Sequence, residues 1–190
     1  MQRIFDVGCT PREYIERAIE PARPGVCPKC KIGKPHRHGF YHRYCFDGEG
    51  WLLIPIRRYR CPRCRLTISF LPSFCIPGFE YSLKVVWRAI HWRLAKRCSL
   101  RKCLAKLLAE FPKLSWLPQR INFYANRFLG NLPWMEAVLR SVFPRIKLGL
   151  AKEKRAKKVL ATVRLGFKQI QSPARLYHEQ CGRSFLAPLR

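Results

Sequence analysis

The sequence predicts an α+β fold: a small β-rich module bracketed by cysteines, then an all-helical region, then a basic C-terminal tail. Three observations predict it. Two matched turns, Cys27-Pro28-Lys29-Cys30 and Cys61-Pro62-Arg63-Cys64, flank a stretch rich in aromatic and branched residues. From Ser82 the apolar residues change from strand-like to helical spacing. Charge divides the chain as well. Residues 1–26 carry four basic and four acidic groups, whereas residues 27–80 carry ten against three. Residues 81–144 and 145–190 each carry twelve against two. These shifts mark an N-terminal helical lead over 1–25, the cysteine module over 26–80, a helical domain over 81–144 and a basic helical or irregular tail over 145–190.

Thr10-Pro11-Arg12-Glu13 has the form of a capping box with proline in the first turn, so residues 11–19 are predicted to be a short helix. Pro21 to Gly25 break the chain before the first cysteine turn. Phe40 to Tyr44 and Trp51 to Tyr59 read as strands joined by the turn Asp47-Gly48-Glu49-Gly50, and Leu66 to Phe70 as a third strand. Leu83, Val86, Trp87, Ile90 and Leu94 then share a helical face. Ser99 is placed to cap a second helix with the stripe Leu100, Cys103, Leu104, Leu107, Leu108 and Phe111, stopped by Pro112. A third helix follows Ser115 with Leu117, Ile121, Tyr124, Ala125 and Phe128 inward and Gly130 at its end. A fourth runs from about Trp134 to Phe143. Ala151 to Phe167 can be helical on Val159, Leu160 and Val163, and irregular chain is expected past Pro173.

The cysteine turns carry the clearest chemistry. A CPxC turn holds two thiolates on one side of a tight loop, and two such turns complete a tetrahedral four-sulfur shell. Cys27, Cys30, Cys61 and Cys64 are therefore the expected ligands of one Zn²⁺, in a zinc ribbon whose intervening chain is a hairpin. A thioredoxin-type site would instead open a helix in a βαβ unit. Four thiolates leave a net charge of about −2 on the zinc, and Arg57, Arg58, Arg60, Arg63 and Arg65 stand beside them in sequence. His36 and His38 are close enough to compete as ligands, although a surface position suits them better. Cys9, Cys45, Cys75, Cys98, Cys103 and Cys181 read as core or free thiols.

The second constellation is a candidate helix-turn-helix, residues 100–111 and 117–129. With the apolar stripe of the latter buried, Gln119, Arg120, Asn122, Phe123, Asn126 and Arg127 face outward. Arginine suits guanine edges, and asparagine and glutamine suit adenine. A plain helical bundle with a polar face has the same pattern. The third is the run Lys152, Lys154, Arg155, Lys157 and Lys158, a solvated face or a phosphate contact.

Composition excludes several classes. The net charge is +27, which favours polyanionic partners. The only aspartates are Asp6 and Asp47, and the nine glutamates are scattered, so the clustered carboxylates of a metal-dependent nuclease are missing. No Gly-rich phosphate loop and no recognisable catalytic triad occurs. The expectation is a non-enzyme. No apolar run approaches the roughly 20 residues of a membrane helix, and the N-terminus lacks a signal-peptide core, so a cytoplasmic location is expected.

The order CPxC, His36-Arg37-His38-Gly39, an aromatic hairpin, IPIRRYRCPRC, LPSF and IPGFEYS resembles the zinc ribbons that open many bacterial insertion-sequence transposases. It also resembles a related bacterial family of unknown function with the same ribbon. The likeness covers about residues 26–85. It implies the four cysteines as zinc ligands, a following helix-turn-helix, and recognition of transposon-end DNA on a bacterial nucleoid. The acidic catalytic domain of those transposases has no counterpart here. The expected function is duplex DNA binding as a mobile-element accessory or regulatory factor. An RNA-binding protein, with Tyr41, Tyr44 and Trp51 stacking on unpaired bases, and an adaptor within a nucleoprotein complex are the alternatives.

Overall fold

Turn chemistry sets the β-hairpin. Asp47 Oδ1 accepts the Glu49 and Gly50 N–H groups at 2.8 and 2.9 Å. Gly48 takes a φ of +110° that a side chain would resist. On either side run β2 (His36–Phe46) and β3 (Trp51–Arg60), antiparallel, with Phe46 opposite Trp51 and His36 opposite Arg60. A bulge between Arg37 and Phe40, at Gly39 with φ +71°, bends β2 near the cysteines. β4 (Thr67–Pro72) pairs antiparallel with the end of β3. The structure, a computed structural model, describes residues 1–146, 151–166, 175, 177–179, 182 and 184–188. Cys181 and the side chain of Lys152 lie outside this description.

The N-terminal lead begins with a strand instead of a helix. β1 (Gln2–Phe5) lies parallel to β4, giving the sheet order β1-β4-β3-β2. Four residues are too few to show a period, and the partner lies far along the chain, so nothing local announces this strand. The capping box then forms as expected: Thr10 accepts from Glu13 N–H, and the Glu13 carboxylate returns to the Thr10 N–H at 2.8 Å. α1 (Pro11–Glu16) is shorter than expected, because Ala18 turns left-handed at φ +47°.

The helices are α2 (Leu83–Ile90), α3 (Leu100–Glu110), α4 (Pro118–Val142) and α5 (Lys152–Gly166). A π-helical turn, His91–Ala95, follows α2 and is closed by Lys96 N–H on the His91 carbonyl. Ser99 caps α3 through the Lys102 N–H. The clearest departure is α4, one helix where two were expected. Gly130 and Pro133 weaken a helix interior. The apolar face nevertheless continues through Leu132, Met135, Val138 and Leu139, all buried, while Pro133 lies on the exposed side. Burial of that face outweighs the local cost. Past residue 173, Arg175 and Tyr177 to Glu179 are helical, where irregular chain was expected.

One apolar cluster joins the two halves. It contains Ile54 and Ile56 of β3, Val86 and Ile90 of α2, Phe128 of α4, and Phe185 and Leu186 near the C-terminus. The cysteine end of the sheet has a separate small cluster of Tyr59, Ile68 and Phe70. None of the helices described is long and apolar enough to cross a membrane.

Candidate metal centre and cationic helix face

The two cysteine turns are built alike. In each, the residue after the second cysteine is left-handed, Lys31 at φ +59° and Arg65 at φ +55°. This turns the chain back so that following N–H groups point at sulfur. The Gly33 N–H lies 3.5 Å from Cys30 Sγ. Backbone N–H groups of Ile32 and Gly33 pull the Cys30 thiol down to about 6. At Cys64 the Leu66 N–H acts in the same direction, but burial and the neighbouring sulfurs raise it to about 11.

The turns meet face to face. Cys27 Sγ is 3.5 Å from Cys64 Sγ, and Cys30 Sγ is 3.7 Å from Cys61 Sγ. All four sulfurs lie within 4.8 Å of one another, close enough to hold a metal ion. A tetrahedron with metal–sulfur bonds near 2.3 Å has edges of about 3.8 Å, whereas a disulfide would bring two sulfurs to about 2.05 Å. Cys27 and Cys61 are fully buried and Cys30 and Cys64 partly exposed. The donor set among the described residues contains no histidine; His36 and His38 lie at the start of β2. Arg57, expected to offset the thiolate charge, pairs with Glu20.

Gly33 is a member of this site that sequence reasoning missed. A Cβ there would sit 2.5 Å from Cys61 Sγ and 3.7 Å from Cys30 Sγ. Gly33→Ala is therefore expected to weaken metal binding strongly while leaving all four ligands in place. Loading the variant with Co²⁺ checks this: thiolate-to-cobalt absorption should fall or shift relative to the native protein, and an unaltered spectrum would count against the close approach.

The helix face is only partly as expected. Ile121, Tyr124, Ala125 and Phe128 of α4 are buried, and Gln119, Arg120, Phe123 and Asn126 are exposed. Asn122 is half-buried, and Leu117, expected inside, is exposed because it precedes the helix as its cap. The turn between α3 and α4 spans residues 111–117, longer than the three or four residues of the compact motif. It is pinned by Phe111, Leu114 and Trp116, all buried. Arg127 lies over the Phe123 ring at 4.8 Å and donates to the Leu186 carbonyl at 3.2 Å. Asn131, fully buried, donates to the Ala187 carbonyl at 2.9 Å. The C-terminal segment thus occupies part of the α4 surface, which no local pattern in the sequence announces. Arg120, Phe123 and Arg127 line an open groove with Phe79 and His178.

On α5, Lys154, Lys157 and Lys158 are exposed. Arg155 is not free: its Nε donates to Glu136 of α4 at 2.7 Å, and its Nη2 pairs with the other carboxylate oxygen. Searches against family models, curated proteins and solved structures give no match to this chain.

Proposed function

We propose that this chain is a non-enzymatic, zinc-dependent DNA-binding protein that reads duplex through the first half of α4. The zinc assignment is supported by four thiolates at near-tetrahedral edges with no oxygen or nitrogen donor; soft sulfur sets of that geometry favour Zn²⁺, with iron the main competitor. The observation that carries the function is the α4 face. Gln119, Arg120 and Asn126 stand exposed on a helix anchored by Ile121, Tyr124 and Phe128. Base-reading side chains on a rigid, buried support in a chain of net charge +27 are what groove recognition requires. An accessory or regulatory role at a mobile element rests on the resemblance alone.

Selection from random duplex pools gives the preferred site. Arg120→Ala and Asn126→Ala should each weaken binding to it by about 1–3 kcal/mol if they meet base edges. Binding to unrelated duplex should change far less. In a salt titration, replacing Lys154, Lys157 and Lys158 with alanine should flatten the slope of log affinity by up to about 2.7, with preference retained. Equal losses on preferred and unrelated duplex from the α4 variants would leave that helix as a phosphate contact only. Metal analysis should find one zinc per chain.

A further inference from the structure

The solvent side of the β2–β3 hairpin is aromatic where a sheet face is ordinarily polar. Side chains alternate across a strand, so Phe40, His42 and Tyr44 share one face of β2, spaced about 6.7 Å apart along it. The register sets Arg57, Pro55 and Leu53 opposite them on β3. Phe40 is 54% exposed, Tyr44 59%, Leu53 47% and Trp51 47%. Tyr41, by contrast, faces inward against the core. At the turn end the strip continues without a gap: Trp51 lies 5.3 Å from Tyr81, ring centre to ring centre. β2 is also the outer strand of the sheet.

Guanidinium groups close both ends of the strip. Arg57 stands 5.8 Å over the Phe40 ring, and Arg120 of α4 stands 6.0 Å over the Tyr81 ring. Glu80 stands exposed beside Tyr81, and the other carboxylates near the strip are matched. Glu20 pairs with Arg37 and Arg57, and Asp47 and Glu49 both pair with Arg12. Exposed rings with guanidinium groups beside them suit a flexible polyanion that carries flat rings of its own better than an acidic protein, which brings the charge without the rings.

We infer that this face is a stacking platform for the unpaired bases of a single-stranded polynucleotide. Phe40, Tyr44 and Trp51 receive bases, His42 fills the interval between two of the rings, and Arg120, exposed on α4, meets a phosphate at the turn end, while Arg57 stays paired with Glu20. The site is separate from the duplex-reading surface of α4 except at Arg120. The protein would then hold duplex and an adjoining unpaired strand together.

The test uses the full-length, metal-loaded protein and four probes: oligothymidine, oligouridine, an abasic oligomer of equal length, and a duplex. Wild type should bind oligothymidine more tightly than the abasic strand. Phe40→Ala and Tyr44→Ala should each lose on the order of 5- to 100-fold on oligothymidine, with no change on the abasic strand or the duplex. Tyr44→Phe should retain wild-type affinity, because the ring and not the hydroxyl is what stacks. Melting curves of the variants should match wild type, since both side chains are more than half exposed. Oligouridine binding on a par with oligothymidine keeps the platform and extends it to RNA; a strong preference for one keeps it and says which of the two strands it takes. Three results overturn it: equal wild-type affinity for oligothymidine and the abasic strand, alanine variants that bind like wild type, or losses of equal size on every probe. The second would assign the face to a protein partner. Failure of the α4 variants on duplex would leave this result untouched, and the reverse also holds.

Discussion

Cys61→Ser is expected to abolish stoichiometric metal binding and to open the cysteine end of the hairpin while the turn end stays folded. The asymmetry follows from where the apolar contacts lie. At the turn end, Cys45, Phe46, Ile54 and Ile56 belong to the main cluster shared with the helices. At the cysteine end, only Tyr59, Ile68 and Phe70 form a cluster, and the chain from Val26 to Pro35 contains no regular structure. So little core offsets little of the conformational entropy of ordering that stretch, and a metal held by the four thiolates would make up the difference. Amide hydrogen exchange, with metal analysis alongside, checks this. Protection should vanish over about residues 26–38 and 58–66 and persist over 45–56, and chelation of the native protein should reproduce the pattern. Full zinc content in Cys61→Ser would sink the ligand assignment; collapse of the whole chain would show that the helices depend on the metal as well.

Arg155→Ala should loosen the packing of α5 against α4 and destabilise the chain. Glu136 is buried within α4, and Arg155 of α5 is its bidentate partner. Removing the guanidinium leaves a carboxylate without compensation in an apolar surround, which is far costlier than losing a surface pair. Since 30% of the Arg155 side chain remains exposed, water can partly substitute, and the penalty falls short of that for a fully sealed pair. A drop in melting temperature of roughly 5–10 °C is expected for a chain of this size. The paired change Glu136→Leu with Arg155→Met should recover most of it, because both charges leave together. If Arg155→Ala instead melts like wild type and only weakens DNA binding, the arginine serves phosphate and not the fold.

The features legible in the sequence are those whose cause is local. Thr10 and Glu13 cap each other across three residues, Ser99 caps its own helix, and Asp47 to Gly50 form their turn from side chains within it. The metal site belongs with these, because each CPxC turn presents two sulfurs by itself and only their meeting is long-range. What the sequence concealed is tertiary. Gly130 and Pro133 look like a helix end and a helix start, yet the core on Leu132 and Met135 carries α4 through both. Arg127 and Arg155 look like free cations, yet one is bonded to Leu186 and the other to Glu136. Gly33 looks like an ordinary loop glycine, and only the position of Cys61 Sγ shows why a side chain is excluded.

The parallel strand β1 has a bearing on the order in which this chain assembles. The β2–β3 hairpin closes over a four-residue turn and can form within microseconds. β1 must wait for β4, since Gln2 pairs with Ser69 and the entropy of closing so long a loop falls due before any contact is made. Until it docks, the outer edge of β4 is bare, with Phe70 and Leu71 beside unpaired backbone groups. That interval is when two half-folded copies can join edge to edge. Strand β1 therefore serves as a late-arriving cover for one association-prone border of the sheet.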